Sequence, residues 1–383
     1  MRIRTVVTEE EFCCLNEHWD KLAENAVPIN KFEWMYKWWQ HNKINNELKI
    51  LVAEKNNEII GIAPLYIQKS KAFKFIPVKK LCFLGGEISD YLDFIIKEDS
   101  DKDEIFKLFI NFIFNEIKTD EICFKQINSS YPNFYLWKKY IGSRNIDFQS
   151  YRECWRIDFD KFAGYEDYFS QLSKSHKRSI KARQKKLNTE VKSHEFIFKS
   201  DISQEEMDVI SAINIKRQKF LYEEKCKTKR FCYFTDKQKT DFIYDYFCNG
   251  DLNDKFLSAL KCNGEIASYI LCLKNKESLY LWNMAFNPDY EFCSPTKILV
   301  NETIKYSFEK GLSYFDFLRG NDPYKLKWSN DTTFCYSFFV PRSIKSKIIQ
   351  ILRNVKPECI TKFFNKPNIK SLIDEAYEEK YDS

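Results

Sequence analysis

A chain of 383 residues and 46.0 kDa has room for two domains, each with its own core. A formal net charge of +6 is too small to mark a nucleic-acid binder by its total, so only its distribution along the chain is informative. The 13 cysteines form no C-x-x-C and the four histidines lie at no metal-ligand spacing from them, which argues against structural zinc and for thiols in a reducing, cytoplasmic setting. The sequence predicts a soluble protein: no apolar run approaches the roughly 20 residues that cross a bilayer, and the basic start lacks a signal-peptide core.

In chain order, residues 48–67, "LKILVAEKNNEIIGIAPLYI", predict two strands joined by an Asn56-Asn57 turn. Residues 81–96 are strand-like around a Gly85-Gly86 break, with Asp90 in phase with Leu92 and Phe94 and Asp93 sharing a face with Tyr91. Asp90 has two readings: a strand-end carboxylate bonding the glycine turn, or a carboxylate that binds an acceptor or serves as a base. The spacing of Ile105, Phe109, Phe112 and Ile113 predicts a helix over 103–118.

A boundary falls near Ser150, and 166–235 reads as helical. Within it, "LSKSHKRSIKARQKKL" (172–187) carries seven Lys and Arg and no acid; it is either a solvated helix or a contact for phosphate, an anionic glycan or tRNA. His176 is read as a surface residue of that helix. Ser203 and Glu206 have the spacing of a capping box.

Residues 256–273 repeat the hairpin layout with Asn263-Gly264 at the tip, and 279–286 predicts a following strand. The loop "NPDYEFCSP" leads into a helix with Ser294 as N-cap and Pro295 at its first position. Thr296, Lys297 and Ile298 would then offer backbone N–H groups to a phosphate, with Gly311 closing the helix. A strand over 312–318 places Tyr314, Asp316 and Leu318 on one face and Phe315 and Phe317 on the other. An Asp there needs a partner, and Arg319 or Lys325 is the expected one. The turn "RGNDPYKLKW" brings Tyr324, Lys325, Lys327 and Trp328 close together. Residues 344–383 predict a mostly helical tail, either docked on the body or lying on an acidic membrane surface.

Six segments carry a resemblance: "WWQHN" (38–42), "GIAPLYI" (61–67), "LGGEISDYLDF" (84–94), the basic run 172–187, "AFNPDYEFCSPTKIL" (285–299) and "YFDFLRGNDPYKLKW" (314–328). In this order they resemble the GNAT acetyltransferase superfamily, more closely the tandem-GNAT, CelD-like (cellulose-biosynthesis acetyltransferase-like) family related to FemAB-type transferases. The resemblance implies an α/β protein of two tandem GNAT-like domains (1–150 and 151–343), each a mixed, mainly antiparallel sheet flanked by helices, plus the tail 344–383. It implies transfer of an acyl group, with acetyl-CoA or another acyl-CoA as co-substrate and no metal, to an amine or hydroxyl of a sugar, nucleotide-sugar or envelope-polysaccharide precursor. Asp316 would be the base, Lys325 would steady charge or hold an acidic acceptor, and Tyr324 would protonate the leaving thiolate. Ser294, Thr296, Lys297 and Ile298 would grip the pyrophosphate; Asp90, Arg319 and Trp328 would bind the acceptor. Thr296 stands where relatives tend to have glycine, so its hydroxyl would have to contribute or the grip would be degenerate. Two other readings are a FemAB-like aminoacyl-tRNA-dependent transferase, the one case in which nucleic acid would be a partner, and a non-catalytic GNAT binding an anionic glycan.

Overall fold

A computed structural model describes residues 1–225 and 232–354. The chain divides into two compact units, and each draws on separated stretches. The first comprises Met1–Leu22, Asn42–Ser150 and the chain from Tyr336 onward; the second comprises Ala23–His41 and Tyr151–Cys335.

In the first unit, strands Arg2–Val6, Ile50–Lys55, Glu58–Ala63 and Ile95–Ile96 form an antiparallel sheet in that order. The hairpin tip is Asn56-Asn57, both at positive φ (51° and 64°), as the sequence predicts. Helix Lys102–Asn115 buries Ile105, Phe106, Phe109, Ile110 and Ile113. It comes close because Gly61 has no side chain: a Cβ there would stand 3.0 Å from Ile105 and 3.2 Å from Phe109. A second run of strands is ordered Asn46–Leu48, Leu65–Ala72, Ile76–Phe83 and Glu121–Asn128, and its last pair is parallel. Helix Ile344–Asn354, the start of the predicted tail, docks here by burying Ile349 against Ala72 and Val78. Residues 355–383 of that tail lie outside the described residues.

In the second unit, strands run in the order His194–Lys199, Lys255–Cys262, Glu265–Lys274, Ser278–Phe286, Tyr314–Arg319 and Gln149–Asp158. All neighbours are antiparallel except Ser278–Phe286 with Tyr314–Arg319, which run parallel. Helix Pro295–Glu309 makes the crossover that a parallel pair requires and buries Ile298, Leu299, Val300 and Ile304 in the core. Gly311 (φ 66°) closes it as predicted, with its amide on the Phe308 carbonyl and the Leu312 amide on that of Ser307. The capping box of Ser203 and Glu206 opens helix Gln204–Glu223. Residues 23–41 join this unit through Trp34, fully buried with its ring edge-on to Phe242 (4.9 Å) and Tyr246 (4.7 Å).

Two expectations are corrected. The stretch 166–235 is not wholly helical: His194–Lys199 is a strand, held in register by antiparallel pairing with Lys255–Cys262, a long-range partner that local pattern does not reveal. The predicted alternation of 312–318 stops at Leu318. That residue takes φ 55°, and the pairing with Gln149–Asp158 shifts between Asp316 and Arg319.

Candidate functional site

The parallel strand pair of the second unit is joined for only three positions, Ser278 with Tyr314, Leu279 with Phe315 and Tyr280 with Asp316. Beyond Tyr280 the first strand continues to pair on its other side, through a bulge at Trp282 where Leu271 opposes Asn283 and Cys272 opposes Leu281. Beyond Asp316 the second strand is turned by Leu318. The strands therefore part at their carboxyl ends, the place where open α/β sheets receive ligands, and a bulge there re-aims side chains.

The crossover helix begins beside this opening. Ser294 stands before it as expected, but in the left-handed region (φ 50°, ψ 61°), and its side chain makes no capping hydrogen bond. This corrects its role: the tight end of the preceding 3-10 turn, where the Ser294 amide bonds the Glu291 carbonyl, fixes the backbone instead. The Thr296 hydroxyl lies 3.1 Å from that of Ser268, which also bonds the Ala285 carbonyl. Ile298 is 1% exposed and packs inward, so only its backbone could face a ligand.

Over the start of this helix lies the basic helix, Lys174–Glu190, whose N-cap Ser173 accepts from the His176 amide. His176, Ile180 and Leu187 are its buried stripe, so His176 is not the surface residue the sequence suggested. It is 5% exposed, edge-on to Trp328 at 4.3 Å, and its Nε2 has no hydrogen-bond partner among the described residues. Burial, with Lys297 and Lys327 nearby, pushes its pKa down to about 4. Lys297 donates from Nζ to the Ser179 hydroxyl (2.8 Å), and Arg183 donates to the Phe292 carbonyl (3.0 Å). Burial together with Arg183 and Lys327 holds the Lys297 ammonium below its usual pKa. None of Arg183, Lys297 and Lys327 has an ion-pair partner among the described residues. Three unneutralised cations and a neutral imidazole with an unused nitrogen at a helix start suit a phosphorylated ligand. Spacing could have found His176, which stands four residues before Ile180; only packing brings Arg183 and Lys327 to Lys297.

The turn after the parted strand is built around two buried charges. Asp316 (5% exposed) accepts from the Leu318 amide at 2.6 Å, and the residue opposite it in the ladder is Arg156. Arg156 donates to Asp331 (2.6 Å) and lies over the Tyr314 ring; Asp331 and Asp316 help hold it protonated against the cost of burial. Lys325, also 5% exposed, donates to the carbonyls of Arg319 (2.6 Å) and Leu318 (3.4 Å). Gly320 (φ 125°) is required here, since a Cβ would also come 3.1 Å from the Lys325 ammonium. Tyr324 is partly buried with its ring edge-on to Phe317. Trp328 (3% exposed) belongs to the core, where its carbonyl accepts from Tyr168.

Asp90 belongs to the first unit, apart from the other candidates, in a buried turn after Gly86–Ile88. Its neighbour Asp93 has the more perturbed setting. Its Oδ1 accepts from Trp137 Nε1 (2.8 Å) and the Phe94 amide (2.7 Å), and burial raises its pKa to about 7. Among the described residues no group of three or more His, Cys, Asp or Glu could hold a metal.

Residues 174–326 match the family model Acetyltransferase (GNAT) domain. Among solved structures, FemX superposes with a TM-score of 0.60 at 12% identity, over 91% of this chain and 100% of that one. A conserved protein of unknown function from Bacteroides thetaiotaomicron gives 0.54 at 11% identity, over 88% and 100%. L-PGS from Bacillus licheniformis gives 0.53 at 12%, over 88% and 96%. At these identities the likeness is one of fold. Comparison with curated proteins finds no significant match in sequence.

Proposed function

We propose that the second unit transfers an acyl group from acyl-CoA to an amine or hydroxyl, on a cytoplasmic sugar, nucleotide-sugar or envelope-polysaccharide precursor. The observation that carries this reading is the set of unneutralised cations, Arg183, Lys297 and Lys327, around the start of helix Pro295–Glu309 beside the parted strands. Backbone amides of Thr296 and Ile298 and these side chains would hold the donor's phosphates, the Lys297 amide being engaged by the Ser294 carbonyl, and the His176 Nε2 supplies an acceptor or donor among them. A thioester is already activated, so positioning and a base suffice. The acceptor nitrogen or oxygen attacks the thioester carbonyl carbon and the carbon–sulfur bond breaks. The acceptor's proton passes to Asp316, directly or through water, and Tyr324 protonates the departing thiolate. Lys325, with its ammonium among the turn carbonyls, steadies the oxyanion or an acidic acceptor. Arg319, at the end of the parted strand, would bind the acceptor.

Calorimetry with acetyl-CoA on the wild type and on Lys297→Glu tests the reading. Saturable binding that the reversed charge weakens about a hundredfold is expected, since two charge contacts of roughly 1.5 kcal/mol change sign or vanish. Absence of binding to any acyl-CoA would remove the donor. The seven cations over 172–187, with no acid among them, favour a second reading in which the donor is an aminoacyl-tRNA. Activity in crude fractions that ribonuclease abolishes and acetyl-CoA does not restore would select it.

A further inference from the structure

The first unit carries an apolar, basic surface that the acyl-transfer reading does not use. Its hairpin Leu65–Ala72/Ile76–Phe83 turns through Phe73 and Lys74, both at positive φ (49° and 64°), with the Phe75 amide on the Ala72 carbonyl. Two two-residue hairpins of the chain place Asn56-Asn57 and Asn263-Gly264 at the first two turn positions, the ones Phe73 and Lys74 hold here. Asparagine and glycine accept that backbone readily; phenylalanine and lysine do so only at a cost. The tip thus spends conformational strain to present Lys74 and Phe75, with Phe75 65% exposed, while Phe73 packs inward against Ala72, Val78 and Ile349.

Helix Ile344–Asn354 lies along this hairpin. It is held by Ile349 against Ala72 and Val78, and by the Lys345 ammonium on the Pro77 carbonyl (2.7 Å). With Ile349 facing in, Ile344, Ile348 and Ile351 form a row at positions i, i+4 and i+7, exposed by 79%, 52% and 63%. Hairpin residues 68–80 and residues 341–354 contain nine Lys and Arg and no acid. Among the described residues, Glu47 pairs with Lys69 and Lys79, Asp120 pairs with Lys345, and Glu121 lies within 4 Å of Lys80 and Arg353. Exposed Lys71 and Lys347 have no ion-pair partner among the described residues.

We propose that the hairpin tip around Phe75 and the outer face of helix Ile344–Asn354 form one docking surface for an anionic lipid bilayer. Large apolar side chains flanked by lysines, with the excess positive charge beside them, are what an interfacial surface needs: the Phe75 ring and the isoleucines enter the headgroup boundary while the lysines meet lipid phosphates.

Sedimentation of the full chain with vesicles tests this, using phosphatidylcholine alone and phosphatidylcholine with about one third phosphatidylglycerol. Binding to the anionic vesicles only, reversed by high salt, is expected. Lys71→Gln/Lys347→Gln should weaken it by about fivefold per charge. Phe75→Ser/Ile348→Ser should weaken it about tenfold or more, with an unchanged circular-dichroism melt. The proposal fails if anionic vesicles do not bind the chain, if neutral vesicles bind it equally, or if Phe75→Ser/Ile348→Ser leaves binding intact. It also fails if the chain elutes as a dimer that this double variant disperses, since the surface would then belong to a second copy.

Discussion

Asp93 and His176 show how burial moves two ionisable groups in directions that oppose each other in stability. Asp93 titrates near 7 in the folded chain against 3.8 for its ordinary value. Between these pH values the folded state keeps a proton that the unfolded state has lost, so its contribution falls as pH rises from about 4 to 7. His176 is the mirror case, about 4 when folded against 6.5, so its contribution is lost as pH falls from 6.5 to 4. Each shift corresponds to on the order of 3 kcal/mol. Asp93→Asn keeps an oxygen for Trp137 and removes the charge, so this variant should melt above the wild type at pH 8 and lose that advantage at pH 4.5. Thermal melts at the two pH values check it; an equal offset at both would mean that Asp93 stays ionised. The sequence sets Asp90 and Asp93 on opposite faces of a strand, but residues 84–94 form no strand, both carboxylates are buried, and the indole that Asp93 meets, Trp137, is 44 residues away.

At the scale of elements, helix Lys102–Asn115 and the crossover helix Pro295–Glu309 are the pieces that local pattern describes best. Their apolar spacing, the Ser294-Pro295 start and the Gly311 stop are all visible in the chain. How closely a helix lies on its sheet depends on one missing atom group. Gly61→Ala would drive a methyl to 3.0 Å from Ile105 and 3.2 Å from Phe109, an overpacking cost of about 1–3 kcal/mol. A lowered melting temperature is expected, and Gly61→Ala combined with Ile105→Val should recover part of it. No recovery would show that the strain lies in the strand backbone. The end of strand Tyr314–Arg319 was less legible. Alternation carries to Phe317, but Leu318, its amide on Asp316, takes φ 55° in a bulge against Gln149–Asp158, just where the parallel pairing with Ser278–Phe286 ends.

For the molecule as a whole, neither unit is a single continuous stretch. Helix Phe32–Asn42 precedes most of the first unit in sequence yet completes the core of the second. Trp34 fills an aromatic cluster with Phe242 and Tyr246, Lys31 pairs with Asp254 (2.5 Å), and Lys37 pairs with Asp245 (2.6 Å). A fragment cut to 151–343 should therefore show no cooperative melt, since uncovering a buried tryptophan site costs about 3–5 kcal/mol. Extending it to 23–343 should restore one. Calorimetry of the two fragments decides this; a sharp transition for 151–343 alone would show that the second unit does not need the segment.

The chain by itself determined the Asn56-Asn57 and Asn263-Gly264 hairpins, its principal helices and the α/β class, because turn chemistry and apolar period act between residues a few positions apart. It also marked the positions of Asp316, Tyr324, Lys325 and Lys297 as chemically unusual for their surroundings. Only the tertiary structure decided that His176 is buried against Trp328, that Arg183 and Lys327 crowd Lys297, that Arg156 stands opposite Asp316, and that Ile349 packs on Ala72 and Val78. Each of these joins residues tens to hundreds of positions apart, and charge repulsion or burial between such residues exists only once packing has closed the distance.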